Sequence, residues 1–225
     1  MNIHKSYSIA IASIFLSVAV HARNVIIANE VKNNDGSVWV VEKNNDGYNV
    51  KYTNAQGKEY DNNTIITSDI EGSNLFLDAL STDAVSLLMD YPKDAYIFKF
   101  SSGEIPRLLS ACKRITLPSA EQQQVVAVLT LCSKQSVTEK VTLSNADADK
   151  LLASDNLTLD GSVKTLIGND KAFLYDENKK QKRNKPYLIK GDVVEILDYE
   201  SSMLKIKYKS KAKIITAWIN FVDIL

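Results

Sequence analysis

Asn33-Asn34-Asp35-Gly36-Ser37-Val38-Trp39-Val40-Val41-Glu42-Lys43-Asn44-Asn45-Asp46-Gly47-Tyr48-Asn49-Val50-Lys51-Tyr52 decides the fold class. The turn Asn-Asn-Asp-Gly stands at both 33–36 and 44–47. Asp-Gly supplies the positive φ angles that tight hairpins need. Between and after the turns lie Val38–Val41 and Tyr48–Tyr52, rich in branched and aromatic side chains that suit a pleated surface. With Gln56-Gly57 as a third turn and Thr64-Ile65-Ile66-Thr67 as a further strand, residues 25–67 read as a β-meander. The acidic turns lack the twelve-residue calcium loop with its closing glutamate, so they read as turn chemistry.

Outward from the meander the period changes. Leu75, Leu80, Ala84, Leu87 and Leu88 approximate a helical face within 73–90, stopped by Pro92. Tyr96–Phe100 reads as a strand. Pro106 suits a first helical turn, with Ile105, Leu108, Leu109 and Cys112 as its stripe. Ser119 with Gln122 resembles a capping box, yet 125–131 also fits a buried strand. A bridge from Cys112 to Cys132 needs Cα atoms within about 7 Å, which favours the strand. Lys140–Leu143 is expected as a strand, Ser144 as the cap of a short helix through Leu152, and Ser154–Gly161 as a linker.

The amino-terminal residues follow a different logic. Met1–Lys5 carries one charge, Ile9–Val20 is almost wholly apolar, and Val20-His21-Ala22 places small or branched residues before a cut. The expectation is a secretory signal peptide removed after Ala22 and a periplasmic mature chain with no stable membrane insertion. Both histidines, His4 and His21, leave with that segment. Their loss disfavours Ser-His-Asp and Cys-His catalysis and histidine-bearing metal sites. Cys112 and Cys132 are the only two cysteines, and an even pair in an exported protein reads as a disulfide. Closing that loop stabilises the fold by about 3 kcal/mol.

The stretch from Gly168 to Leu225 has a more specific order. Ala172-Phe173-Leu174-Tyr175 is followed by a variable loop, Asp176–Lys185. Then come Leu188-Ile189-Lys190-Gly191-Asp192-Val193-Val194-Glu195-Ile196-Leu197, Met203-Leu204-Lys205-Ile206-Lys207-Tyr208, Ala217-Trp218-Ile219, and Phe221–Leu225. This order resembles the bacterial SH3-like domain of exported proteins over about a quarter of the chain. Met203 stands where that family usually has tryptophan, which weakens an inherited aromatic groove, and Ala217 stands where glycine is usual. The resemblance implies a small β-barrel built for binding, with peptidoglycan as one ligand class. The residues agree on strands: Leu204, Ile206 and Tyr208 alternate with Lys205, Lys207 and Lys209.

The expected fold is therefore mainly β with some helix, an α+β arrangement. A signal segment at 1–22 precedes a β-rich α+β domain at 23–160, and an SH3-like β-barrel occupies 168–225. Ser-x-x-Lys spacings at Ser110–Lys113, Ser202–Lys205 and Ser210–Lys213 lack the companion motifs of serine acyl-enzymes. No Gly-rich phosphate loop is present. No catalytic residue, metal ligand or cofactor is assigned.

Lys179-Lys180-Gln181-Lys182-Arg183-Asn184-Lys185 is the densest charge run. The candidate partner-binding residues are Tyr175, Lys179, Lys180, Lys182, Arg183, Lys185, Tyr187 and Tyr199, because basic and aromatic side chains anchor interfaces. Formal charge balances at 27 basic and 27 acidic residues, which with export disfavours nucleic acid as a partner. Residues 23–167 hold 14 basic and 19 acidic side chains, net −5, and residues 168–225 hold 12 and 8, net +4. The expected function is non-enzymatic recognition of a protein partner in the cell envelope, with a toxin-neutralising immunity protein as one form. The alternatives are a peptidoglycan recognition module and an enzyme of unknown type in residues 25–150.

Overall fold

The structure is a computed structural model that describes residues 26–45, 47–66, 70, 74–120, 126–210 and 213–225, with side chains from Asn29 onward. The expected signal segment and its cut after Ala22 lie outside the described residues, as does Gln122 of the expected capping box.

Three antiparallel sheets and a ribbon account for nearly all regular structure. The first sheet contains β1 (Ile26–Lys32), β2 (Val38–Asn44), β3 (Gly47–Thr53) and β4 (Glu59–Asn62), in that order. The central sheet contains β5 (Leu75–Ser81), β6 (Ala84–Asp90), β7 (Asp94–Ser101), β8 (Leu108–Pro118), β9 (Val126–Ser133) and β10 (Leu157–Leu159), ordered β10-β9-β8-β7-β6-β5. The third sheet is ordered β11-β14-β15-β16, from β11 (Val163–Leu166), β14 (Val193–Glu200), β15 (Met203–Lys209) and β16 (Ile214–Asn220). The ribbon joins β12 (Ala172–Phe173) to β13 (Tyr187–Leu188). Two helices of four residues each, α1 (Gln135–Thr138) and α2 (Ala148–Leu151), stand between β9 and β10.

The chain is thus predominantly antiparallel β, and the expected α+β fold with a carboxy-terminal SH3-like barrel is corrected. The third sheet is open. Its edge strand β11 leans on the end of β8 through the Ser119–Thr165 bridge, and among the described residues its other edge, β16, is paired on its free side only at the single Tyr175–Trp218 bridge. Neither edge pairs with the other, so no barrel closes.

Local corrections follow from burial. The expected helix at 73–90 is the β5–β6 hairpin: Leu75 and Leu77 are buried, and so are Val85, Leu87 and Met89 on β6, while Leu80 is 49% exposed. The Pro106 stripe is not helical either, because β8 starts at Leu108 with a register irregularity that leaves Leu109 exposed. Residues 64–66 leave the first sheet after β4, burying Ile65 and Ile66 without strand pairing. Lys140–Leu143 is reduced to one bridge, Arg107–Thr142, and the short helix α2 is capped by Asp147, not Ser144. The expected linker carries β10, which pairs with β9 through Leu157–Ser133. The strand reading of 125–131 holds from Val126 onward, and Tyr96–Phe100 lies within β7.

One face of the central sheet organises both hydrophobic cores. At the β5–β8 end, Leu77, Leu87, Phe98 and Phe100 pack with Trp39, Val41 and Tyr52 of the first sheet and with Leu143 and Leu151. At the β8–β10 end, Ile115, Leu117, Leu129 and Leu157 pack with Ile196, Leu204 and Ile219 of the third sheet. Side chains alternate along each strand, so residues of the other parity point to the opposite face. The first core is pinned by polar contacts: Trp39 Nε1 donates to Ser102 Oγ (2.9 Å), and Asn62 Nδ2 donates to the carbonyls of Leu143 and Ala146 (2.7 Å each).

Candidate functional site

The variable loop expected to bind a partner is a built hairpin. Asp176 Oδ1 accepts from the main-chain N–H groups of Asn178 and Lys180, both at 2.9 Å. Asp176 N–H donates to Lys180 O, Lys179 N–H to Asp176 O, and Lys185 N–H to Lys182 O. Lys179 and Lys185 adopt positive φ (58° and 45°), which lets these turns close. Tyr175 then bridges Gln181 on one side and Trp218 of β16 on the other.

The base of this loop is a lid. Trp218 shares its strand parity with Lys205, opposite to Leu204 and Ile206 of the second core, so its ring stands on the outward face of the third sheet. It is nonetheless only 4% exposed. Lys179 Nζ lies 4.8 Å and Lys205 Nζ 5.9 Å from its ring centroid. Lys179 also pairs with Glu200 (2.6 Å) and Lys205 with Glu177 (2.9 Å), so two ion pairs clamp the loop across the ring. The hydrogen bond from Lys205 holds the Glu177 carboxyl below the usual glutamate range. Trp218 Nε1–H is buried and has no hydrogen-bond partner among the described residues.

The tip of the loop is different. Lys180, Arg183 and Lys185 are exposed, Lys182 is half-buried, and none of the four has a carboxylate within ion-pair distance among the described residues. Tyr187 follows the tip and is 46% exposed, edge-on to Phe173 with Lys171 Nζ 5.1 Å from its ring. Ile189, 54% exposed, extends this apolar margin. No protein-family model, no curated protein and no solved structure matches this chain.

The candidate residues therefore divide. Lys180, Lys182, Arg183, Lys185 and Tyr187 share the projecting tip or its margin. Lys179 is committed to Glu200 and Trp218. Tyr175 is half-buried, with its hydroxyl accepting from Asn220 Nδ2 (3.2 Å). Tyr199 is only 7% exposed, packs edge-on to Phe221 within the second core, and offers no surface to a partner. Sequence reasoning missed Glu177, Glu200, Lys205 and Trp218. The outward parity of Lys205 was visible in the alternation of β15, but its pairing across 28 residues was not.

Elsewhere, Ser110 and Lys113 point to opposite faces of β8, since residues three apart on a strand cannot meet. Lys113 is held instead by Asp94 (2.8 Å) beneath the Tyr96 ring. Burial pulls its pKa down, but the Asp94 hydrogen bond and the charges of Tyr96 and Asp94 outweigh it and raise the pKa. Among the described residues no three His, Cys, Asp or Glu side chains gather as a metal set. Cys112 and Cys132 form a disulfide, and among the described residues no helix is long and apolar enough to cross a membrane.

Proposed function

We propose that this chain is an exported periplasmic binding protein, without catalytic activity, that grips an acidic protein surface with the cationic tip of its 176–185 loop. The observation that carries the reading is the division of the loop into a clamped base and a tip whose cations have no carboxylate within ion-pair distance among the described residues. Ordering a side chain at an interface costs entropy, and a loop already folded by its own turns and clamp has met part of that cost. Lys180, Lys182, Arg183 and Lys185 then present a fixed positive patch that steers an acidic partner and sets its orientation. Tyr187 and Ile189 supply apolar area beside it. Export is supported by the Met1–Ala22 pattern together with a disulfide, which persists in oxidising compartments.

The test is retention of envelope proteins on the immobilised chain, compared with a variant carrying Lys180→Gln, Lys182→Gln, Arg183→Gln and Lys185→Gln. Lys179 is kept so that the clamp survives. The expected result is an acidic protein held by the parent chain, released as salt rises, and not held by the variant. Equal retention by both at low and high salt rejects the loop as the site. Co-sedimentation of the chain with purified sacculi, in place of protein capture, favours cell-wall recognition.

A further inference from the structure

The second face of the central sheet joins neither core among the described residues, and its side chains are arranged in register. Phe76 pairs with Leu88, Leu88 with Ile97, Ile97 with Cys112, and Cys112 with Cys132. An apolar row therefore crosses five strands in a line, with the disulfide at one end. None of these residues belongs to either core, and Phe76 is 40% exposed.

Charge is distributed unevenly on the two sides of this row. Asp78 on β5 and Asp90 on β6 are exposed acids; Lys99 on β7 and Arg114 on β8 are exposed bases. The row on one side reads Asp78, Ser86, Lys99, Ser110, and the row on the other includes Asp90, Ala95, Arg114. Each of these charged residues thus stands beside a small one, and on β5 to β8 the acids and bases occupy opposite halves of the face; a further acid, Asp160, lies beyond them against Cys132 (Sγ–Oδ2 4.0 Å).

We infer that this face is an isologous interface between two copies of the chain, packed sheet on sheet about a two-fold axis parallel to the strands and midway between β6 and β7. Such an axis sets β6 against β7 of the second copy and β5 against β8. Leu88 then meets Ile97, and Phe76 meets the disulfide. Asp78 lies over Ser110 and next to Lys99 of the second copy, while Asp90 lies over Ala95 and next to Arg114. The small residues make room for the charged ones, and each of these four charges faces its opposite sign. A face of one sign would repel its own copy; this one is self-complementary.

Sedimentation equilibrium of the full chain with its disulfide intact tests the pairing. The parent protein is expected to show a concentration-dependent dimer. Lys99→Asp alone and Asp78→Lys alone are each expected to weaken it by about tenfold, because each places like charges across the interface. An equimolar mixture of the two variants is expected to recover the dimer. One copy then carries acids at positions 78 and 99 and the other carries lysines at both, so each contact across the axis again joins opposite signs. Circular dichroism confirms that both variants fold, and Leu88→Lys, at a position outside both cores, provides an independent disruption. A parent chain that stays monomeric at high concentration overturns the inference. So does a dimer indifferent to these substitutions, or a mixture that associates no better than its components.

Discussion

Cys112 and Cys132 stand directly opposite one another on β8 and β9, with Cα atoms 4.0 Å apart. The bridge therefore joins strands that already pair through Lys113–Leu131 and Arg114–Thr130. Its contribution lies chiefly in restricting the unfolded chain over the 20 residues it spans. Replacing both cysteines by alanine is expected to preserve the register and to lower stability by about 3 kcal/mol, read from urea denaturation. An unchanged midpoint would show that the unfolded chain gains no freedom when the bridge is removed.

Asn62 is a buried junction between the first sheet and the segment before α2. Its amide donates to two carbonyls, and its Oδ1 accepts from the N–H groups of Thr64 and Ile65. Asn62→Asp keeps the shape but turns both donors into acceptors facing carbonyl oxygens, and a loss of about 3 kcal/mol is expected at neutral pH. Protonation restores one donor, so the pKa of the new carboxyl is raised in the folded state. Its destabilisation should therefore shrink as pH falls through that raised pKa, the reverse of an ordinary salt-bridged acid. Stability curves at neutral and mildly acidic pH check this directly.

Gly168 donates its N–H to Asp223 O (2.8 Å), and a methyl group there would collide with the Leu225 main chain. The obstacle is backbone, so no side-chain rotation relieves it. Gly168→Ala is expected to cost about 1–3 kcal/mol and to disturb the packing of Ile224. Thermal unfolding gives the first quantity, and amide chemical shifts of residues 221–225 give the second.

The lid over Trp218 should respond to acid. Glu177 has a depressed pKa in the folded chain, so its contribution is present above the unfolded value of about 4.3 and disappears as pH falls through the folded value. In a Trp39→Phe background, which isolates Trp218, tryptophan fluorescence should change with a midpoint below pH ~4.3. Glu177→Gln should abolish that titration while leaving the fold intact. A transition of the same midpoint in both proteins would assign it to general acid unfolding.

The meander was legible because Gly36 and Gly47 adopt positive φ (86° and 125°) where Asp-Gly announced the turns. The β5–β6 hairpin was not. Its turn at Thr82-Asp83 lacks glycine, and Leu80 and Leu88 completed a false helical stripe although neither belongs to a core. β9 could be read from its branched residues and from the demand of the disulfide. The open third sheet could not, because closure depends on which edges meet, and β11 finds Ser119 while β16 does not find β11. At the site, composition revealed the cationic tip. It did not reveal the burial of Tyr199 or the clamp on Trp218, which depend on partners far away in sequence.

The sharing of β8 between two cores has a kinetic consequence. Leu108 and Ala111 serve the first core, and Ile115 and Leu117, on the same strand, serve the second. The first core can close once residues up to Leu151 have been made, and hairpins of this local kind form quickly. The second waits for Val194, Ile196, Leu204, Ile206 and Ile219, which are synthesised later. Throughout that interval Ile115, Leu117, Ala127, Leu129 and Leu131 form a sticky half-sheet with nothing upon it. The vulnerable species of this protein is therefore a half-finished chain, correct in everything it has built and still open to aggregation along β8 and β9.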